Sequence, residues 1–312
     1  DPFHWLRERD NPEVLKYLRA GNDHAQAVMA HTKPLQEMLF DEIKGRIKQT
    51  DATVPYRLDD YFYYTRYEEG KEYPIYCRKR ASLEAPEEIM LEVNELAKGH
   101  AYYSVGAGRV SAGQNLLAFA FDTFGRRVYT IRFKNLATGD LLPDVIPGVT
   151  NNLAWANDNR TLFYARPDPV TLRWDRIYRH VLGADPERDE LVYQEKDETF
   201  STMVFKTRSK AYLFIASFQT VSSEVQFLDA NDPGDRFRVM QPRERDHEYE
   251  VEHFGEHFYI RTNLEAKNFR LMRAPVTRAS REHWQEVIPH RPGVFLEGFD
   301  LFRDHLVVTE RA

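Results

Sequence analysis

Cysteine occurs once in this chain, at Cys77. A single thiol excludes an intrachain disulfide framework and fits a reducing compartment, so a cytoplasmic setting is expected. No stretch approaches the roughly 20 consecutive apolar residues of a membrane span, and no signal-peptide pattern is present. Basic residues are not in excess, since 43 Lys and Arg stand against 49 Asp and Glu for a net charge of -6. That balance carries no electrostatic footprint for nucleic acid. Neither a nucleic-acid partner nor a membrane partner is expected. No serine has glycine two positions before and two positions after it, so the Gly-x-Ser-x-Gly elbow that presents a nucleophilic serine is missing.

Aromatic residues, by contrast, are plentiful, with 17 Tyr and 20 Phe, which suits strand-rich packing. The stretch "WANDNRTLFYARPD", residues 155–168, reads as two strands around a polar turn. Segments of the same kind start at 116 ("LLAFAFD"), 161 ("TLFYARPD"), 211 ("AYLFIAS"), 257 ("HFYIRTN") and 305 ("HLVVTER"), 45 to 50 residues apart. Each of the first four is preceded by one short strand and followed by two more, as in "RVYTIRF" and "LLPDVIPGV". Four short strands at such a period indicate the blades of a β-propeller. A blade alone buries too little apolar surface, so neighbours must stack to share a core. The hairpin "YFYYTRYEEGKEYPIYCRKR", 61–80, belongs to an earlier and less regular blade. The sequence therefore implies a mainly β fold, with about five blades and the start of a sixth over residues 57–312. The arc is expected to be incomplete, leaving Leu306, Val307 and Val308 on a strand without its outer neighbour.

Residues 1–56 differ, and form a helical extension. Asn11 is a natural N-cap with Pro12 at the first helical position, and Leu15, Leu18, Ala25, Val28 and Met29 fall on one face. A second helix is predicted from Pro34, with Leu35, Met38, Leu39, Ile43 and Ile47 recurring at three- and four-residue steps. This stripe reads as packing surface rather than a cofactor box. The two helices can cover each other, or the stripe awaits a partner domain.

Few residues carry a chemical signal. "GAGRVSAG", 106–113, lacks the Gly-Lys-Ser/Thr ending of a phosphate loop, and its glycines are expected to allow tight packing at a blade's inner edge. "DHEYEVEHFGEH", 246–257, gathers His247, Glu248, Glu250, Glu252, His253, Glu256 and His257, which are metal-ligating types. Strand alternation sends them to opposite faces, so a solvated strand of mixed charge is expected instead. Asn159-Arg160-Thr161 matches a glycosylation sequon but reads as a polar turn. No carboxylate pair suited to a propeller glycosidase stands out among the acidic residues. No catalytic, cofactor-binding or metal-binding residue is assigned, and no cofactor is expected.

The opening "DPFHWLRERDNPEVLKYL" resembles the Asp-Pro-Tyr-x-Trp-Leu stretch that begins prolyl-oligopeptidase-family serine peptidases, with Phe3 in the tyrosine place and Trp5-Leu6 matching. Further similarity, closest to the oligopeptidase B group of that family, lies in "YFYYTRYEEGKEYPIYCRKR", "FAFDTFGRRVYTIRFKNLATG", "WANDNRTLFYARPDPVTLRWDRIYRH", "EKDETFSTMVFKTRSKAYLFI" and "DHEYEVEHFGEHFYIRTNLEAKNFRLM". The resemblance implies a seven-bladed propeller, truncated here, ahead of a C-terminal α/β-hydrolase domain holding the Ser-Asp-His triad and the acidic residues that select Lys or Arg. It implies short basic peptides as substrates of the parent enzyme, a propeller that gates their entry, and helices that pack on the hydrolase domain. The segment "QTDATVPYR", 49–57, would link extension to propeller. A stand-alone propeller that binds protein or peptide is the alternative from another functional class.

Overall fold

The computed structural model describes residues 1–312. The chain divides into two compact units, Asp1–Ile89 and Met90–Ala312.

In the first unit, α1 (Pro12–Met29) starts where the sequence indicates: the Asn11 side chain accepts the Glu13 N–H at 3.0 Å, and Pro12 opens the helix. A short 3-10 turn, Ala30–Thr32, joins it to α2 (Lys33–Arg46). Met29, Ala30, Thr32 and Lys33 all keep right-handed helical dihedrals, so α1 runs on into α2 as one arm. The helices therefore do not fold back on each other. Folding back needs a left-handed or extended break, and Ala30-His31-Thr32 offers no glycine to supply one. The stripe at Leu35, Met38, Leu39, Ile43 and Ile47 is left 44% to 63% exposed.

Four antiparallel strands follow in the order β1 (Tyr56–Leu58), β2 (Tyr61–Arg66), β3 (Ile75–Arg80) and β4 (Glu87–Glu92). The expected linker is tied to this sheet: Thr53 N–H donates to Thr65 O and Tyr67 N–H to Asp51 O, both at 2.8 Å. Cys77 is buried in β3, and burial pushes its thiol up to about 12, which makes it unreactive near neutrality.

The second unit repeats one pattern. Its first sheet holds β5 (Ser104–Val110), β6 (Leu116–Asp122), β7 (Tyr129–Asn135) and β8 (Leu141–Val149). The next holds β9 (Leu153–Trp155), β10 (Thr161–Pro167), β11 (Trp174–Val181) and β12 (Glu190–Gln194). Then come β13 (Ser201–Lys206), β14 (Tyr212–Gln219), β15 (Ser222–Asp229) and β16 (Arg238–Gln241). After them stand β17 (Tyr249–Phe254), β18 (His257–Thr262), β19 (Arg270–Pro275) and β20 (Gln285–Ile288). A two-stranded sheet, β21 (Phe295–Leu301) with β22 (Leu306–Arg311), ends the series. Strands in every sheet follow chain order.

Consecutive sheets of this unit share their cores. Leu162 and Tyr164 of β10 pack with Ala118, Ile131 and Phe133 of the preceding sheet. The alternate residues Phe163 and Ala165 pack with Val204, Leu213 and Ile215 of the following one. Phe214 then faces Tyr249, Phe258 and Ile260, and Leu271 meets Leu296. A sheet covered on both faces has no solvent side, which is why "TLFYA" and "YLFIA" are continuously apolar rather than alternating. Polar ties fix the stacking: Trp155 Nε1 donates to Arg109 O at 2.8 Å, and Asn152 bonds the Val204 N–H and C=O at 2.8 and 3.0 Å. β22 pairs only with β21, and Leu306 and Val307 stay partly exposed while Val308 packs near Leu271 and Leu296.

Candidate interface at the loop end of the sheets

Turns between first and second strands gather at one end of the second unit. Gly113 N–H donates to the Asn159 side chain, the Asn157 amide donates to Lys210 O at 2.9 Å, and Ser209 Oγ meets His253 Nδ1 at 2.8 Å. Loops between second and third strands, and the connections from sheet to sheet, consequently lie at the opposite end.

Two of those loops are built alike. After β6, the buried Asp122 carboxylate accepts the N–H groups of Phe124 (2.8 Å), Gly125 (3.1 Å) and Arg127 (2.8 Å). The turn needs positive φ at Gly125 (72°) and Arg127 (58°), and the carboxylate holds it there. After β10, Asp168 accepts from Val170 N–H (3.0 Å), Thr171 N–H (2.7 Å) and the Thr171 hydroxyl (2.9 Å). Those bonds hold the Asp168 carboxyl below its ordinary range. Arg173 closes the second loop by donating to Phe200 O at 2.6 Å.

Each fixed loop carries an apolar tip in solvent. Phe124 is 84% exposed and Val170 87%. A hollow of about 510 Å³ lies at their base, lined by Phe121, Val128, Tyr129, Pro169 and Leu172, with Arg126 as its cation. Large apolar side chains on pre-ordered loops lose little entropy when covered, so this end suits docking of a second apolar surface. No nucleophile–base pair adjoins it. Sequence reasoning missed these residues because Phe124 and Val170 look like ordinary strand-edge residues until the Asp turns aim them outward.

A second hollow, of about 460 Å³, runs between β13–β15 and β17–β18. Met203, Phe205, Phe218 and Val251 form its walls, and Glu248 and Glu250 lie at its rim. Here the stretch 246–257 departs from the expected solvated strand. His247, Tyr249, Val251 and His253 are buried on one side of β17, while Glu250 is exposed on the other and pairs with Arg261 at 3.3 Å. His247 bonds Thr262 Oγ1 at 2.9 Å, and burial lowers the pKa of both imidazoles. Glu252 is half-buried, and burial raises its pKa. Glu256 and His257 lie at the β17–β18 turn. The imidazoles are packing groups because β17 is covered by a neighbouring sheet, which an isolated strand pattern cannot show.

The glycine stretch 106–113 packs closely. A Cβ on Gly106 would stand 2.4 Å from the Tyr129 ring and 2.8 Å from Asn151 Cβ, and one on Gly113 would stand 2.8 Å from Asn159 Oδ1. Asn159 itself has φ 56° in the β9–β10 turn, with its side chain engaged by Gly113. Gly106→Ala is expected to cost about 1–3 kcal/mol by overpacking, read from the urea midpoint. An unchanged midpoint would mean that Tyr129 moves aside freely.

Stacked four-stranded antiparallel sheets with shared cores, following a helical segment, define a β-propeller protein. The family model for the prolyl oligopeptidase N-terminal β-propeller domain matches residues 1–312, and the chain belongs to that family. Among curated relatives, dipeptidyl aminopeptidase BI of Pseudoxanthomonas mexicana is 45% identical over all of this chain and 46% of its own length. Protease 2 of Moraxella lacunata is 33% identical with the same coverage. Among solved structures, oligopeptidase B from Leishmania major matches the whole chain with a TM-score of 0.91 at 32% identity, and the chain covers 44% of it. Oligopeptidase B from Trypanosoma brucei, in a closed form with covalently bound antipain, gives 0.91 at 28%. The chain spans about half the length of these relatives.

Proposed function

We propose that this chain is the non-catalytic part of an oligopeptidase-B-like serine peptidase that cuts short peptides after Lys or Arg. Its helical extension takes residues 1–56 and its propeller 57–312. The observation that carries the reading is that the chain matches relatives named as peptidases from end to end while covering 46% of them. It also contains no Gly-x-Ser-x-Gly. The Ser-Asp-His triad belongs to the half not present here. That half would perform acyl transfer by a histidine-activated serine, with backbone N–H groups holding the anionic intermediate.

In this reading the propeller admits short peptides and keeps folded proteins out, by a shift between open and closed domain arrangements. The bare stripe of α2 and the tips Phe124 and Val170 are surfaces that the second half covers. The double variant Phe124→Ser, Val170→Ser in the full-length protein is expected to speed limited proteolysis between the halves several-fold. Stability of the 312-residue chain should move by less than about 0.5 kcal/mol, since both side chains are exposed. Equal proteolysis rates would exclude these loops from the docking surface.

The specificity test is a panel of chromogenic peptides on the full-length protein. Cleavage after Arg and Lys, lost for Ala or Glu at that position, supports the reading; indifference to that side chain refutes it. The 45% identity to a protein named dipeptidyl aminopeptidase BI favours a second reading, release of dipeptides from free N-termini. N-terminal blocking separates them, because it abolishes dipeptide release and leaves internal cleavage intact. A reading frame that stops after Ala312 would instead favour a stand-alone binding module.

A further inference from the structure

His180, in β11, is fully buried. Its Nδ1 lies 2.8 Å from Asp189 Oδ1, just ahead of β12, and its Nε2 lies 3.1 Å from Asp144 Oδ1 on β8 of the preceding sheet. The Asp144 and Asp189 side chains are themselves only 5% and 3% exposed. Asp144 Oδ1 also takes the Gly183 N–H at 2.6 Å, and Asp189 Oδ2 takes the Tyr164 hydroxyl at 2.8 Å. Phe133 of β7 stacks on the imidazole at 5.7 Å. An ionised carboxylate only accepts, so both ring nitrogens must carry hydrogen to satisfy this geometry. A neutral imidazole has one N–H and would leave a buried carboxylate facing a lone pair.

We propose that Asp144–His180–Asp189 is a proton-dependent clasp, tying the β5–β8 sheet to the β9–β12 sheet at their outer strands and loosening when His180 loses its proton. The groups that face it are few. β8 contributes Asp144, the segment before β12 contributes Asp189, β10 contributes Tyr164, and β7 contributes only Phe133. Arg166 stacks over the Tyr164 and Tyr178 rings, at 5.6 and 4.9 Å. Burial pushes the His180 pKa down, but the two carboxylates outweigh it and raise the value above the ordinary 6.5. A folded-state pKa above the unfolded one gives a contribution that is complete below about pH 6.5 and is lost as pH rises through the folded value. The clasp therefore holds on the acid side and weakens as pH rises through that value. This inference stands independently of the peptidase reading.

Hydrogen exchange of the full-length protein, followed by mass spectrometry at pH 6, 7.5 and 9 and corrected for intrinsic rates, tests it. Segments 141–149 and 174–194 are expected to open severalfold more at pH 9 than at pH 6, because a neutral imidazole no longer donates to both carboxylates. Segments 213–219 and 258–262, at the junction built on Phe214 and Phe258, should not follow. Asp144→Asn and Asp189→Asn should each flatten the dependence by removing the charge that holds the proton. Protection at the first junction that is independent of pH in the wild-type protein, or a rise shared equally by all junctions, would overturn the proposal, whether or not the variants fold.

Discussion

Assayed alone on a short arginine-containing chromogenic peptide, the 312-residue chain is expected to release no chromophore above the uncatalysed background. In the peptidase reading proposed above, the full-length protein is expected to turn over on the order of 1–1000 times per second, the ordinary range for enzymes. The contrast is all-or-none because catalysis of acyl transfer needs a nucleophile, a base and an oxyanion site within hydrogen-bond reach of one another. Nothing in the stacked sheets assembles such a set. Three buried imidazoles are engaged in packing: His247 on Thr262, His253 on Ser209, and His180 between two carboxylates. The sole thiol is buried and held protonated. Turnover by the 312-residue chain that a serine-directed inhibitor abolishes would place the chemistry inside this half and overturn the reading.

The second large effect concerns stability. Phe214→Ala is expected to lower the unfolding free energy by about 3–5 kcal/mol, the usual cost of deleting a fully buried phenylalanine. Phe214 is 0% exposed and sits between β14 and the following sheet, with its ring 5.7 Å from Phe258 and 5.5 Å from Phe205. The loss should be localised. Sheets stacked in series interact chiefly with their neighbours, so the β17–β20 sheet should gain hydrogen exchange well before the β5–β8 sheet does. Denaturant unfolding of the wild-type and variant proteins checks the magnitude, and exchange mass spectrometry checks the location. A cost under about 1 kcal/mol would mean that Tyr212, Phe227 and Phe258 collapse into the space.

Much of this architecture could be read in the sequence. Segments spaced 45 to 50 residues apart each became the second strand of a sheet, and "WANDNRTLFYARPD" is indeed the β9–β10 turn with its following strand. The Asn11-Pro12 helix start was equally legible, since a cap is a local contact between residues two apart. The continuity of α1 into α2 was not, because an apolar stripe reports a face and is silent about what the face meets. His180 carried no signal either. Asp144 lies 36 residues before it on another sheet, and only stacking brings the two together. The bare tips Phe124 and Val170 were unreadable for a related reason: their direction depends on carboxylates that fold the loops beneath them.

Sequence by itself determined the fold class and the repeat, because strand period, turn chemistry and helix capping are interactions between residues close along the chain, and its quoted segments carried the family resemblance. Tertiary structure alone decided which polar side chains are buried, which apolar ones are bare, and which sheets are joined through His180. Those outcomes depend on what each strand faces across a sheet-to-sheet gap, and that is set by packing between residues tens of positions apart.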